Sequence, residues 1–429
     1  MKFLFQLFFI AFLYCLYIGD VRGESTCSIE GDCPNQEAEE ECVDLHENCE
    51  DWAESDECME NPDYMLVYCR KACQRCNYKP REEDYGVPQA TEGNHEAEIL
   101  SAIEDMQAYF HKIRNDPSTS HKMHELFDNC KLKHENCAFW KALGECENNP
   151  RYMHLDCAPI CQTCELLSIE FRCPLDPEAP NAWKPGDLNQ FFTNITTLPD
   201  FSIYEPHILS KPEDINISCS ESFGCKDGPW LVLLDNFLSD EEADRLIQLG
   251  SNLGYERSTG TGPVKFDGRN EHILSESRTS SNAWCIDECY KDDVVKNVIA
   301  RIETVTNIPE TNSEYLQLLQ YDVGQFYLEH HDYIGFHIDR QMGVRILTFF
   351  LYLNDVEEGG GTNFPLLDLT VTPKKGRAVI WSHVLNDDPH RIDSRTEHQA
   401  LPVIKGVKYG ANAWIHQRDF KVSDSKGCQ

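Results

Sequence analysis

The chain has 429 residues, a length that allows one large domain accompanied by smaller ones. Its 38 Lys and Arg against 73 Asp and Glu give a formal net charge of −35, a field that repels phosphate backbones and speaks against nucleic-acid binding. An apolar share of 41% excludes a wholly disordered chain, and 21 cysteines, crowded into the first half, indicate an oxidising compartment.

At the N-terminus Lys2 precedes an apolar run from Phe3 to Gly19, followed by Asp20, Val21, Arg22 and Gly23. Residues 1–23 read as a signal peptide. The alternative is an uncleaved anchor, the one route by which this chain would meet a membrane. Either way the rest belongs to the secretory pathway, in the endoplasmic reticulum (ER) lumen or outside the cell. Cys15 leaves with that segment, so 20 cysteines remain, an even number. The sequons at Asn194 and Asn216 suit the same compartment.

Cysteines 42, 49, 58, 69, 73 and 76 recur at 130, 137, 146, 157, 161 and 164, each displaced by 88 residues. This is a duplicated module. About 35 residues cannot bury enough apolar surface to fold alone, so disulfides are the expected source of stability. A zinc reading of the Cys-x2-Cys endings fits a secreted, even-cysteine chain poorly. The pattern resembles the ShK-toxin-like (ShKT) domain over residues 42–76 and 130–164. That resemblance implies pairings of the first cysteine with the sixth, the second with the fourth and the third with the fifth. In the channel-blocking toxins a Lys-Tyr pair acts, whereas Asp63-Tyr64 and Arg151-Tyr152 stand at the matching positions here. A structural or docking role is therefore expected, since Arg does not substitute for the compact ammonium of Lys.

Between the modules, residues 94–115 place Ile99, Ile103, Met106, Phe110 and Ile113 at three- and four-residue steps, which predicts an amphipathic helix packed on a neighbour. Residues 165–227, rich in Pro, Asn and Asp with scattered cysteines, read as an irregular but disulfide-tethered connector. From residue 228 to 420 the texture predicts a folded core. A helix is expected at Asp240 to Leu253, with strands at 230–235, 315–321, 344–353, 378–382, 400–404 and 410–415. Many strands after few helices predict a mainly β fold, a sandwich or barrel.

On a strand, residues i and i+2 point the same way, so His330 and Asp332 can grip one ion together. His398 offers a third ligand, and two imidazoles with one carboxylate form the set that holds non-haem Fe(II) with positions left open. Around these residues stand Tyr321-x8-His330-x-Asp332, Arg345-x2-Thr348, Gly359-Gly360-Gly361-Thr362-Asn363-Phe364-Pro365, Lys408 ten residues after His398, and Trp414-Ile415-His416. The stretch resembles the catalytic domain of 2-oxoglutarate, Fe(II)-dependent prolyl 4-hydroxylases, on a double-stranded β-helix (jelly roll). The resemblance implies that His330, Asp332 and His398 bind iron and that Lys408 pairs with the distal carboxylate of 2-oxoglutarate. It further implies hydrogen bonds to that cosubstrate from Tyr321 and Thr362, less surely from Thr348. Arg345, Tyr327, Trp414 and His416 match positions near the peptide. A second pair, His337-x-Asp339, lacks the tyrosine nine residues upstream, where Leu328 stands, so His331 and His337 read as loop histidines.

The implied reaction is 4-hydroxylation of peptidyl proline, with ascorbate as reductant, in a proline-rich or collagen-like polypeptide. Collagen itself is not fixed, because the ShKT modules occupy the place of the collagen enzyme's helical peptide-binding domain. Two alternatives accompany this reading. One is a secreted ShKT binding protein with a scaffold oxygenase domain; the other is an oxygenase acting on another residue such as lysine. Residues 425–429 do not resemble an ER-retention tetrapeptide, so ER residence would need an ER-retained partner or an anchor. Cys285 and Cys289 are expected to pair; partners for Cys27, Cys33, Cys173, Cys219, Cys225 and Cys428 cannot be read from the sequence.

Overall fold

The computed structural model describes residues 42–75, 85–114, 116, 118–212 and 229–428. The expected signal segment, Cys27, Cys33, Cys76, Cys219, Cys225 and the sequon at Asn216 lie outside them. The chain divides after Glu83 into two units.

The first unit holds three short helices, Cys49–Glu54, Glu57–Glu60 and Pro62–Tyr68. Cys49 pairs with Cys69 and Cys58 with Cys73, which are the second-to-fourth and third-to-fifth pairings, and Cys42 is also disulfide-bonded. Its apolar core is little more than Met65 and the half-buried Trp52, Tyr64 and Tyr68, so covalent links replace burial.

In the second unit the repeated module shows all three pairings, Cys130–Cys164, Cys137–Cys157 and Cys146–Cys161. The predicted amphipathic helix runs Glu96–Arg114, and its buried Ile99, Met106 and Phe110 pack with Leu126, Phe127, Leu132 and Met153. Its apolar stripe is thus covered by the second module. Arg151, at the pore-blocking position, is engaged as well: one guanidinium nitrogen donates to both carboxylate oxygens of Asp424 at 2.7 and 2.8 Å.

The described part of the connector, residues 165–212, is not irregular. It forms a helix, Asp187–Thr197, whose Leu188, Phe191, Phe192 and Ile195 enter the main core, and a strand, Pro206–Ser210, that pairs antiparallel with Leu231–Leu234. Apolar residues at steps of three and four marked that helix, but the surrounding Pro, Asn and Asp masked it. The Asn194 amide oxygen accepts from Gln190 within the same helix at 2.7 Å. Cys173, within the connector, pairs with Cys428, a disulfide tether whose partner, 255 residues away, the sequence left unassigned. Cys285 and Cys289 pair as expected.

Two sheets form the β core. The larger has eight strands in the order Pro206–Ser210, Leu231–Leu234, Ala378–Ser382, Arg345–Tyr352, Lys408–His416, Gln317–Tyr321, Ser281–Trp284 and Glu256–Arg257. The smaller has four, in the order Leu369–Val371, Thr362–Phe364, His398–Ala400 and Tyr327–His330. Alternation along Arg345–Tyr352 separates two apolar layers. Phe349 and Leu351 pack under the helices Asp240–Leu253 and Asp293–Thr306, while Phe350 and Tyr352 face Phe364, Val371 and Val403 on the small-sheet side. The predicted strand at 400–404 is two strands, His398–Ala400 and Val403–Lys405, because Pro402 has no N–H to continue a ladder.

Candidate active site

The ligand triad is mounted on the small sheet, where His398 lies opposite His330 in the antiparallel ladder. Their ring centroids are 4.3 Å apart. Asp332, just past the strand, brings one carboxylate oxygen to 3.9 Å from His330 Nε2 and the other to 3.6 Å from His398 Nε2. One ligand atom from each residue falls within 4.8 Å of the other two, and this is the only such group of three among the described residues.

Each imidazole is held by its other nitrogen. His330 Nδ1 lies 2.7 Å from the carbonyl of Leu328, and His398 Nδ1 lies 3.0 Å from that of Thr396. A carbonyl only accepts, so both rings carry their proton on Nδ1 and present the Nε2 lone pair inward. Burial, followed by the nearby His398, pushes His330 down to about 3, which keeps it neutral as a metal ligand must be. Burial opposes ionisation of Asp332, yet the neighbouring His398, His383, His330 and Arg345 hold its carboxyl far below the usual range. Two imidazoles and one carboxylate with inward-facing donors fit a divalent iron.

Thr348 departs from its expected role. Its hydroxyl donates to Asp332 Oδ2 at 2.6 Å and lies 2.7 Å from His383 Nε2, so it orients the carboxylate rather than a cosubstrate. His383, wholly buried, was not singled out by any sequence pattern. Its place beside Thr348 arises only when Ala378–Ser382 pairs with Arg345–Tyr352.

Lys408 begins a large-sheet strand opposite Tyr321 and is 1% exposed. Its ammonium lies 5.1, 5.2 and 5.5 Å from the rings of Tyr321, Phe350 and Tyr352, with no carboxylate partner among the described residues. Burial pushes it down to about 7. A buried, uncompensated ammonium is costly unless an anion joins it, and the distal carboxylate of 2-oxoglutarate is such an anion. Gly410, two residues on, must lack a side chain, since a Cβ there would lie 2.6 Å from Phe350. Tyr321 is buried among these groups, and that burial raises its phenol. Thr362 accepts a hydrogen bond from Tyr352 at 2.7 Å, which leaves its own proton to donate elsewhere.

Of the residues expected near the peptide, Tyr327 stacks on His330 with centroids 3.5 Å apart, and the guanidinium of Arg278 covers its ring at 4.9 Å. Trp414 carries an indole N–H with no partner among the described residues, and Arg345 lies 4.0 Å over its ring. Arg345 also pairs with Glu314 at 2.5 Å. His416 differs from expectation: it is wholly buried, its Nε2 2.8 Å from Glu314 and its Nδ1 2.9 Å from the carbonyl of Gly343. It braces Glu314 and cannot touch a peptide. Of the two expected loop histidines, His337 is likewise buried, 5.5 Å from the His416 ring. His331 bonds the carbonyl of Asp393 at 2.9 Å. Arg278 and Glu314 were both missed by sequence reasoning, which offers no local signal for either.

Residues 316–416 match the family model of the 2OG-Fe(II) oxygenase superfamily, and residues 41–76 and 129–164 match that of ShK domain-like modules. The chain is 34% identical over 284 residues to the probable prolyl 4-hydroxylase 7 of Arabidopsis thaliana, covering 61% of this chain and 84% of the relative. It is 31% identical to the prolyl 4-hydroxylase subunit alpha-2 of Gallus gallus, over 45% of this chain but 35% of that subunit. Among solved structures, the viral collagen prolyl hydroxylase of Paramecium Bursaria Chlorella virus-1 is 27% identical, with a TM-score of 0.35 over 43% of this chain and 95% of that one. The chain belongs to the prolyl 4-hydroxylase family of 2-oxoglutarate- and Fe(II)-dependent oxygenases, joined here to two ShK-like modules.

Proposed function

We propose that this protein hydroxylates peptidyl proline at C4, in proline-rich or collagen-like polypeptides passing through the secretory pathway. The observation that carries the reading is the inward-facing triad of His330, Asp332 and His398 combined with the buried ammonium of Lys408. His330, Asp332 and His398 would hold Fe(II), and Lys408 would anchor 2-oxoglutarate with Tyr321 and Thr362 donating to it. Iron and 2-oxoglutarate held there would serve to activate O2, one oxygen atom of which converts the C–H bond to C–OH while the other is taken up as 2-oxoglutarate is oxidised to succinate and CO2. The protein's own share is positioning and exclusion of water. Thr348 fixes the Asp332 carboxylate, and the carbonyls of Leu328 and Thr396 fix the two rings. Tyr327, Arg345 and Trp414 would wall the peptide side. Ascorbate would serve as reductant.

The disulfides of the described residues support an ER-lumenal or secreted location, with residues 1–23 as the signal and Asn194 and Asn216 as candidate glycan acceptors. An ER-retained partner would account for residence in that compartment. The test is mass spectrometry of proline-rich, Gly-x-Pro and matched lysine peptides incubated with residues 24–429, Fe(II), 2-oxoglutarate and ascorbate. A gain of one oxygen on proline that disappears in Lys408→Ala supports the reading. A gain on lysine alone, or none with any peptide and no succinate release, refutes it.

A further inference from the structure

The hairpin formed by Thr259–Val264 and Asn270–Leu274 stands outside both sheets, and its two ends reach two different places. Its tip is fastened to the second ShKT module. Arg269 donates from two guanidinium nitrogens to both oxygens of Asp156, each at 2.9 Å, and to Asp267 Oδ2 at 2.7 Å. Lys133 lies 3.3 Å from Asp156 and from Asp267, so two cations and two carboxylates close on one another. Arg172, 5% exposed, donates to the Asp267 carbonyl at 2.7 Å and to the Gly427 carbonyl at 3.1 Å. Gly268, at φ +77°, approaches so near that a Cβ would lie 3.0 Å from Ile169. Burial works against the Asp267 charge, but the Arg269 hydrogen bonds and the Arg269 and Lys133 charges hold it at about 2.

The root of the same hairpin leads directly into the site. Beyond Leu274 the chain reaches Ser277, whose carbonyl accepts from Leu328 N–H at 2.8 Å, and Arg278, which bridges to Tyr327 in the ligand strand. Arg257, at the other root, holds the Ser275, Arg278 and Ser280 carbonyls. Leu274 at the hairpin's root and Leu328 on the ligand strand both remain exposed, apolar side chains.

We propose that the second ShKT module is a fixed abutment for this hairpin and that Arg269 and Asp156 are positioning residues for peptide binding. Held at its tip, the hairpin keeps its root segment and Arg278 in a set place beside Tyr327; released, it must be ordered by the peptide at a cost in affinity. The inference rests on the prolyl-hydroxylation reading above.

The test compares Arg269→Ala, Asp156→Asn and the double variant in the full chain. Each single variant should raise the peptide KM about tenfold while leaving the KM for 2-oxoglutarate and its peptide-independent turnover unchanged. The double variant should be no worse than the weaker of the two single ones, because both break the Arg269–Asp156 link and all three leave the Lys133–Asp267 pair in place. Amide hydrogen exchange across 259–274 should accelerate in all three. Unchanged peptide KM, additive effects, or exchange no faster than in the parent overturns the proposal, as does loss of 2-oxoglutarate turnover alongside. A parent inert towards every peptide would instead refute the functional reading, and hydrogen exchange would still judge the tether.

Discussion

Replacing Lys408 with Met should stabilise the ligand-free protein and at the same time remove its response to 2-oxoglutarate. Burial lowers the Lys408 ammonium from 10.5 to about 7, so folding near neutral pH strips it of part of its proton. At about 1.4 kcal/mol for each factor of ten in proton affinity, this costs up to about 5 kcal/mol. The folded state binds fewer protons than the unfolded one between pH 7 and 10.5. The cost is therefore complete below about 7 and shrinks as pH rises towards 10.5. Met is unbranched, of similar length and carries no charge to desolvate. The expected result at pH 7 is a thermal midpoint raised by the order of 5 °C, with the difference from the parent shrinking between pH 7 and 10. In the parent, 2-oxoglutarate added with Mn(II) in place of iron should raise the midpoint and take up protons at pH 8, as calorimetry in buffers of different ionisation enthalpy will read. Lys408→Met should show neither effect. A variant that melts below the parent at pH 7, or that keeps the full 2-oxoglutarate response, would refute the assignment of Lys408 as an unpaired buried cation.

Thr348→Val removes the hydrogen bond to Asp332 while keeping shape, and should weaken Co(II) binding about 10- to 100-fold by titration calorimetry; unchanged affinity would return Thr348 to a cosubstrate role. His398→Ala should abolish both metal retention and turnover, whereas His337→Ala should still hold metal; the opposite pattern of metal content would shift the ligand set to the second His-x-Asp pair. Glu314→Gln leaves Arg345 and His416 without their anion and should destabilise the fold by about 3 to 5 kcal/mol in urea unfolding, against little change if the cluster contributes nothing. Burial opposes the Glu314 charge, but Arg345 and His416 hold its carboxyl at about 2. That contribution is complete above 4.5 and disappears as pH falls towards 2.

The candidate iron ligands were legible as a His-x-Asp pair and a third histidine in an ordered series of motifs, although the strand ends at His330 and Asp332 lies just past it. The second coordination layer was not. Thr348 reads as a free hydroxyl in the sequence, and only the pairing of Trp381 with Thr348 brings His383 beneath it. His416 reads as peptide-facing for a similar reason: its partner Glu314 lies 102 residues away. Local patterns carry no information about such distances. Through the resemblance the second module was legible down to its three disulfides and the first in the two pairings that the described residues contain, whereas Cys173–Cys428 joins two cysteines that belong to no repeat. The helix Asp187–Thr197 shows the converse case, a regular apolar period hidden by the polar composition of its neighbourhood.

His330 and His398 are 68 residues apart in the chain, yet they face each other across one rung of a four-stranded sheet. The gap between the two imidazoles is thus gauged by hydrogen-bonded strands and not by the length of what joins them. Evolution is free to lengthen or shorten the exposed turns at Leu366 and Asp368 or at Asp387 and Asp388 without retuning the metal centre. One residue inserted between His398 and Ala400 would instead swing every later side chain of that strand to the opposite face. The centre tolerates much change around it and almost none along its own two strands.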